Sequence, residues 1–439
     1  MSHKKSLFVL YSHNPSRLAH LEKLKSLKNT FHIVLISNSS PAPSWTQQYI
    51  DESYVADPYL AHNTTLLENF KVRFPQKPYA ILNLSEACVP LHAALVNTYE
   101  LPGPSMEQAL LGRDKILMRR VCQDIGLSVP SFEEISLDDF KNITKLKAPW
   151  IIKPSIGGGS TLVKRFNSIQ ELQGAILNFD QLAKKQYQKD ILFQHALNKK
   201  GNFRFIAEED IGGTTQFNTQ FPYNVGEISV ESFHFGNEAK IIAIHDKPIP
   251  GDNNPYFEEH LWSTPTRIPP ILRAQVEEQM QKIHAFLGPE CHVLHTEFRT
   301  LNDKVMLLEF GIRMGGGPIY SSVLKSTQFD FIDALIERGH GKTLQNNQTE
   351  STPVITHSLW SQAGILKEVK GEGDITQLPF YQSHQIYDKS GDTLLRAPVS
   401  SRGHGHIVFS GSNFHDLENS CFKALQSLKF ILSEERQYP

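Results

Sequence analysis

Two apolar stretches separated by a turn, residues 292–310 (HVLHTEFRTLNDKVMLLEF), constrain the fold of this chain more than any other feature. Asn302 and Asp303 are typical turn residues, so the stretch predicts a β-hairpin. A three-residue loop beginning at Asn302 would pair Leu301 with Val305. The register of every other pair along the two strands follows from that first pair.

This register places Glu297 directly opposite Glu309, with Cβ atoms about 4.5–5.5 Å apart. Two carboxylates so placed repel each other unless a cation lies between them, and a hard, oxygen-seeking ion such as Mg²⁺ fits best. The two-residue period of a strand puts Gly311 and Arg313 on the face of Glu309. From the hairpin alone, a metal site and a pair of solvated strand-end acids remain equally open.

Composition predicts a multidomain protein without a nucleic-acid partner. A chain of 439 residues exceeds one ordinary core, so two or three domains are expected. The formal charge of −2 gives no reason to expect nucleic acid, and no apolar run is long enough to span a membrane. We expect a cytoplasmic protein, because the cysteines are scattered and form no CxxC pair: Cys88, Cys122, Cys291 and Cys421.

The first hundred residues alternate apolar runs with helical patterns. The runs SLFVLYS, FHIVLIS and YAILNLS predict parallel strands covered on both faces. The segment LPGPS at 101–105 marks a boundary. A helix follows, in which Leu117, Val121 and Ile125 share one face.

From about residue 148 the residue pattern predicts mainly β-strands. PWIIKPS and STLVKRF flank a glycine loop, and DILFQHAL continues the pattern. A helix is predicted near 270–287. After TESTP, a smaller β-rich unit leads to a final helix near 414–432.

The glycine loop follows Lys153, which ends a predicted strand. Glycines let successive backbone N–H groups converge on one anion, and a lysine adds charge. A flexible turn explains such a loop equally well. Because the loop lies between two strands, it is a hairpin loop and not a phosphate loop that opens a helix. It comprises Gly157, Gly158, Gly159 and Ser160.

Taken together and in order, six segments resemble the ATP-grasp superfamily, and within it the L-amino acid ligases. The resemblance implies an α/β (α+β) ATP-grasp fold with a Rossmann-like domain at 1–105 and a two-lobed core at 106–350, whose small lobe spans about 148–210. A C-terminal β-rich subdomain at 351–439 would complete the ligase. The segments are GRDKILMRRVCQDIGLSVP, APWIIKPSIGGGSTLV, FIAEED, GEISVES, HTEFR and LLEFGIRMGGG.

The same resemblance implies roles for individual residues. The phosphates of ATP would contact Lys115, Lys153, Lys247 and the glycine loop. The adenine would lie against the hinge that includes Glu208, Glu209 and Ile211, and the ribose against Glu227. Glu297 and Glu309 would coordinate Mg²⁺, with Mn²⁺ as an alternative. The substrate and catalytic set would be Arg313, Gly315, Gly316, Gly317, Glu259 and His260.

Several features depart from the pattern or fall outside it. Many ATP-grasp enzymes have an asparagine where this chain has Gly311, which leaves open whether one or two metal ions bind. The connection at 212–226 is longer than usual. His295 is expected to be a satisfied core histidine, and the pair His404 and His406 lacks a third ligand.

These expectations converge on an ATP-dependent carboxylate–amine ligase that activates an acid as an acyl phosphate. Its partners would be a small carboxylate and an amine, with amino acids the leading candidates, and a homodimer is the default expectation for its oligomeric state. Two alternatives remain: a ligase for another acid and amine, of the carboxylase or purine-pathway kind, and a non-catalytic ATP-binding regulator.

Overall fold

The structure, a computed structural model, describes residues 4–12, 14–37, 44–56, 63–212, 224–249, 256–301, 303–346, 351–396 and 403–433. Within these ranges no helix is both long and apolar enough to cross a membrane. Of the long connection predicted at 212–226, residues 213–223 lie outside them.

The N-terminal sheet has four parallel strands in the order β3-β2-β1-β4. The residues Leu7–Tyr11 are fully buried, as expected for a parallel strand covered on both faces. The parallel arrangement predicted from the three apolar runs is therefore confirmed. The strands are β1 (Lys5–Tyr11), β2 (Phe31–Ser37), β3 (Glu52–Val55) and β4 (Ala80–Asn83).

A small antiparallel sheet follows, in the order β5-β8-β6-β7. Its apolar face packs against a long helix, and Phe166, Phe203 and Phe205 are fully buried there. One strand of this sheet comes from before residue 148, and the predicted bounds of the small lobe stay a prediction. The strands are β5 (Phe132–Ile135), β6 (Trp150–Pro154), β7 (Lys164–Phe166) and β8 (Phe205–Glu209).

The large sheet has eight antiparallel strands in the order β13-β12-β9-β10-β11-β14-β18-β16. Three of them come from beyond residue 350 and continue the sheet begun by the other five. The predicted division at 350 stays a prediction. The strands are β9 (Asn224–His234), β10 (Ala239–Ile249), β11 (Leu261–Thr264), β12 (Val293–Thr300), β13 (Val305–Gly311), β14 (Val354–Leu359), β16 (Tyr381–Ile386) and β18 (Gly405–Ser410).

Helices cover these sheets, and a three-stranded sheet lies near the C-terminus. The helices are α1 (Leu18–Leu27), α2 (Thr64–Arg73), α3 (Val89–Thr98), α4 (Met106–Leu111), α5 (Lys115–Asp124), α6 (Ile169–Tyr187), α7 (Pro270–Leu287), α8 (Ile319–Thr327), α9 (Phe331–Gly339), α10 (Glu372–Ile375) and α11 (Phe414–Ser427). The small sheet comprises β15 (Gly364–Lys370), β17 (Thr393–Leu394) and β19 (Lys429–Leu432).

Three local predictions were wrong. The segment DILFQHAL forms turns rather than a strand, and α6 before it was not predicted. The last helix ends at Ser427, because the chain then pairs with β15 as a strand. In α5 the side chain of Leu117 is 43% exposed, because the helix buries a different face that contains Arg119.

Candidate active site

The strands β12 and β13 pair Glu297 with Glu309, as predicted. The turn, however, is one residue out of the predicted register, since Thr300 and not Leu301 pairs with Val305. A β-bulge at Leu308 restores the pairing of the two acids, because the extra residue shifts every later pair by one.

The guanidinium of Arg119 on α5 holds this bulge. It donates to the carbonyl oxygen of Leu307 at 3.0 Å and to that of Leu308 at 2.8 Å. The same side chain donates to the Glu208 carboxylate from Nε at 2.8 Å. One buried arginine therefore connects the large sheet, which holds Glu309, to the strand β8 of the small lobe.

A first cleft lies between the small lobe and the large sheet, with about 990 Å³ of empty space. Apolar side chains from both sides line it, including Ile151 and Val163 from the small lobe and Leu261 and Leu308 from the large sheet. Walls of this kind suit a flat, partly apolar group such as a purine base.

Charged side chains form the floor of the first cleft. Lys153 Nζ lies 2.6 Å from Glu208 Oε2. Burial lowers the pKa of Lys153, and the charge of Arg119 lowers it further. Burial opposes the ionisation of Glu208, but Arg119 and Lys153 lower its pKa below the ordinary value.

The glycine loop lies between β6 and β7, as predicted. Lys115, the first residue of α5, donates to the carbonyl oxygen of Gly157 at 2.5 Å and lies 3.2 Å from Glu309 Oε2. Gly157 has φ +104°, and a Cβ there would lie 2.3 Å from Tyr187 Oη. Only glycine fits this position, so the loop backbone can approach the cleft closely.

Lys247 on β10 lies among three carboxylates. Its Nζ is 2.8 Å from Glu227, 2.6 Å from Glu259 and 2.5 Å from Glu297. Burial disfavours the ammonium, but the carboxylates raise the pKa of Lys247 well above its ordinary value. Burial also opposes ionisation of Glu297, yet Lys247 and His295 lower its pKa well below the usual range.

The acids of this floor suit a divalent cation by their chemistry. Carboxylate oxygens of Glu227, Glu259 and Glu297 lie within 4.8 Å of one another, and all ligand atoms are hard oxygens. Glu309 faces Glu297 across the ladder and lines the same cleft. Lys247 already lies among the first three acids, so the facing pair Glu297 and Glu309 is the set that offers oxygen ligands to Mg²⁺, and it does not resemble a thiolate or imidazole site.

A second cleft adjoins the first and has about 1570 Å³ of empty space. Lys247, Glu259, Glu297 and Glu309 line both clefts, so the two spaces meet at the acidic floor. Arg313 also lines the second cleft.

An arginine–carboxylate network stands in the second cleft. The Glu86 carboxylate accepts from Arg313 Nε, and its backbone oxygen accepts from Arg113 at 2.8 Å. Burial opposes ionisation of Glu86, but Arg313 and Arg113 lower its pKa to about 2. A Cβ on Gly311 would lie 3.5 Å from both Arg313 Nε and Glu86 Oε2, so a side chain there would lie in van der Waals contact with this ion pair.

Most of the predicted residues line one or both clefts. His260 does not: it packs near Trp360, with ring centroids 5.4 Å apart. Gly315 is packed below the second cleft, where a Cβ would meet Ile319 and Glu231. The lining residues among those predicted are Lys115, Lys153, Gly157, Gly158, Gly159, Ser160, Glu208, Glu209, Ile211, Glu227, Lys247, Glu259, Glu297, Glu309, Arg313, Gly316 and Gly317.

Sequence reasoning missed Arg17, Glu86 and Arg113, which all line the second cleft. Glu86 directly follows the apolar run of β4, and ligands collect at the carboxyl ends of parallel strands, so its position was a usable signal. His295 is buried and bonded to Glu231 at 2.6 Å, as expected of a core histidine, and it also lines this cleft.

Comparisons with known proteins agree with this geometry. Residues 146–320 match the family described as the ATP-grasp domain. The vancomycin/teicoplanin A-type resistance protein VanA of Enterococcus faecium is 25% identical over 186 residues, which cover 42% of this chain and 48% of VanA. The chain thus spans about half the length of the curated relatives it matches.

Two solved structures share the fold over nearly the whole chain. L-amino acid ligase from Bacillus licheniformis superimposes with a TM-score of 0.77 at 18% identity, covering 99% of this chain and 100% of that one. N5-carboxyaminoimidazole synthetase from Staphylococcus aureus, complexed with ADP, gives 0.68 at 16% identity, covering 97% and 98%. Residues 146–320 therefore match the ATP-grasp domain family, and nearly the whole chain shares the fold of these two enzymes.

Proposed function

We propose that this protein is an ATP-dependent carboxylate–amine ligase that forms an amide through an acyl phosphate and releases ADP and phosphate. The observation that supports this most is the meeting of two clefts at one acidic floor. One cleft has the features of a nucleotide site and the other contains arginines suited to a carboxylate. A shared floor lets a phosphoryl group pass from a ligand in one to a ligand in the other.

ATP is placed in the first cleft. The adenine lies between the apolar residues of the two lobes, beside the backbone of the hinge that ends at Ile211. Glu227 is positioned for the ribose hydroxyls. Lys115, Lys153 and the backbone of the glycine loop face the phosphates and offset their charge.

Mg²⁺, or Mn²⁺ in its place, is assigned to Glu297 and Glu309. The ion supplies positive charge that offsets the charge of the transferring phosphoryl group. Lys247 is already held beside Glu297, so the floor keeps a fixed positive charge of its own.

The acid is placed in the second cleft, with its carboxylate against Arg313. The planar fork of an arginine suits a carboxylate, and the backbone beyond Arg313 is rich in glycine, which lets N–H groups approach the same anion. A carboxylate oxygen attacks the γ-phosphorus of ATP, the bond from that phosphorus to the β–γ bridging oxygen breaks, and ADP leaves.

The amine then attacks the acyl carbon. Its nitrogen loses a proton, the bond between the acyl carbon and the phosphate oxygen breaks, and amide and phosphate result. Glu259 lines both clefts and is our candidate, by position, for accepting the proton. The glycine loop lines both clefts as well, so its closure would keep water from the acyl phosphate.

L-amino acids are the leading substrates, and the structural likeness to an L-amino acid ligase supports them. The likeness to N5-carboxyaminoimidazole synthetase supports a second candidate, a ligase for a different acid and amine. The fold is common to both, so the contents of the second cleft decide between them.

The test is phosphate release from ATP and Mg²⁺ across a matrix of single and paired acids and amines. Release that needs both an acid and an amine, and that is lost in Glu309→Gln, supports the ligase. Glu277→Gln is the matched control, because this exposed acid on α7 lies outside both clefts. ATP binding without release in any pair would contradict the proposal and favour a regulatory protein.

A further inference from the structure

Arg17 differs from the other arginines of the clefts in having no ion pair with a carboxylate among the described residues. Arg113, Arg299 and Arg313 each pair with a carboxylate. Arg17 is only 7% exposed, and its Nη1 is buried without a hydrogen-bond partner. In the part of the chain that the structure describes, no carboxylate lies within ion-pair distance of it.

A buried, unpaired guanidinium destabilises a folded protein, because the charge loses water and gains nothing in return. The charge nevertheless persists: burial and the nearby charge of Arg313 lower the pKa of Arg17 only to about 10. A cation held in this way is expected where an anionic ligand completes the pairing.

The position of Arg17 in the N-terminal sheet is that of a ligand site. The order β3-β2-β1-β4 reverses direction between β1 and β4, and ligands of such sheets bind beyond the carboxyl ends of the strands at this point. Arg17 and Asn14 follow β1, and Glu86 follows β4. All three line the second cleft.

Within the second cleft, Arg17 and Arg313 come from different elements. Lys247, Glu297 and Glu309 line both clefts and so mark the place of phosphoryl transfer. Arg313, assigned to the reacting carboxylate, follows β13, the strand that carries Glu309, whereas Arg17 follows β1 of the N-terminal sheet. A ligand whose carboxylate reacts at the floor would therefore present a different group to Arg17.

We propose that Arg17 binds a second anionic group of the acid substrate, so that the preferred acid carries a carboxylate or phosphoryl group besides the carboxylate that reacts. This inference rests on the proposed function and names the substrate class of the same site. The two anion types share the chemistry that an arginine recognises, and substrate pairs separate them.

The experiment compares acids that differ in this one group, with ATP, Mg²⁺ and a panel of amines. The pairs are L-glutamate with L-glutamine, L-aspartate with L-asparagine, and O-phospho-L-serine with L-serine. We expect kcat/KM to favour the anionic member of at least one pair by roughly tenfold or more, and the favoured pair identifies the group. Equal use of both members in every pair would overturn the inference and leave the ligase proposal standing.

The variant Arg17→Met supplies a readout that a structural role would not give. It should abolish the preference by raising KM for the anionic acid, leave KM for ATP unchanged, and raise the Tm of the ligand-free protein, because it removes an unpaired buried charge. Arg17→Lys should retain part of the preference. Arg273→Met, an exposed arginine on α7, should change none of these quantities.

A lower Tm for Arg17→Met, or failure of this variant to fold, would overturn the inference by showing that Arg17 stabilises the protein itself. Binding separates this result from failure of the proposed function. Should no acid give phosphate release, stabilisation of the wild type by the anionic acids, lost in Arg17→Met, would still support the site. Absence of that stabilisation would contradict it.

Discussion

Lys247 lies among three carboxylates. Its side chain is 3% exposed, and its single positive charge is shared by Glu227, Glu259 and Glu297, which are themselves close together. Removing this charge leaves three neighbouring carboxylates that repel one another. Lys247 is thus a structural cation at the place where the two clefts meet.

Lys247→Met is expected to lower the free energy of unfolding by about 3–5 kcal/mol, since it removes the cation shared by three neighbouring carboxylates. Urea denaturation without divalent ions measures this loss. Added Mg²⁺ should restore part of it, because the carboxylate oxygens that remain suit the ion. Lys240→Met, an exposed lysine on the same strand, is the control. An unchanged stability in Lys247→Met would refute this role.

At position 311 this chain has glycine where many ATP-grasp enzymes have asparagine, and its surroundings give a reason for the difference. The ion pair between Arg313 and Glu86 lies against it. Gly311→Asn should displace this pair and raise KM for the acid roughly tenfold, since a hydrogen bond to a charged group is worth about 1.5–3 kcal/mol. KM for ATP should change little. Gly174→Asn, on the exposed face of α6, controls for the substitution itself. Equal KM values for the acid in both variants would contradict the assignment of Arg313 to the acid.

At the scale of elements, the glycine loop depends on close packing against α6. A methyl group on Gly157 would overlap the ring of Tyr187, which ends that helix. The loop would have to move away from the lobe, and with it the backbone that faces the phosphates.

Gly157→Ala should therefore raise KM for ATP by about tenfold or more, the effect of losing one charge-assisted contact. Gly201→Ala is the matched control, because Gly201 also has a positive φ, +77°, but open space around it. Both variants should lose about 1–2 kcal/mol of stability from backbone strain. Only Gly157→Ala should raise KM for ATP, and a similar KM for ATP in both variants would contradict this explanation.

The hairpin illustrates what sequence can predict about an element. Strand periodicity and a plausible turn predicted that Glu297 faces Glu309, but the turn is one residue out of that register and the bulge at Leu308 compensates for the shift. The bulge at Leu308 could not be foreseen, because Arg119 stabilises it from a helix almost two hundred residues earlier. The same buried arginine explains why Leu117, on the apolar face of α5, is partly exposed: an apolar pattern does not reveal a charge that is paired inside.

At the scale of the whole molecule, several buried histidines make stability depend on pH. Burial, followed by the charge of Arg17, lowers the pKa of His20 to about 3. Neither ring nitrogen of His20 has a hydrogen-bond partner among the described residues, and the ring packs against Tyr320. Below pH 6.5, about the pKa of His20 in the unfolded chain, the unfolded chain binds a proton at His20 and the folded chain does not. The free energy of unfolding therefore falls as pH falls.

For His20 alone this loss reaches about 2 kcal/mol at pH 5. His20→Phe should remove that part of the decline in unfolding free energy between pH 7 and pH 5, as measured by urea denaturation at each pH. His415→Phe, on the exposed surface of α11, should leave the decline unchanged. An identical pH dependence in His20→Phe and the wild type would disprove the account.

The order of the main elements and the residues of the first cleft were predictable, because each motif there is local in sequence. The second cleft was not, since Arg17, Glu86 and Arg113 come from the N-terminal sheet and the segment before α5. Only the folded arrangement brings them to Arg313. The extension of the large sheet by strands beyond residue 350 likewise depends on tertiary pairing that periodicity does not encode.

The central claim is that a carboxylate of the substrate becomes an acyl phosphate. Labelling both oxygens of the acid's carboxylate with ¹⁸O, in unlabelled water, tests it most directly. If the carboxylate attacks ATP and the amine then displaces phosphate, one labelled oxygen must appear in each phosphate released. Phosphate without label, formed at the same rate as the amide or in its absence, would mean that water or another group attacks ATP, and would contradict the account.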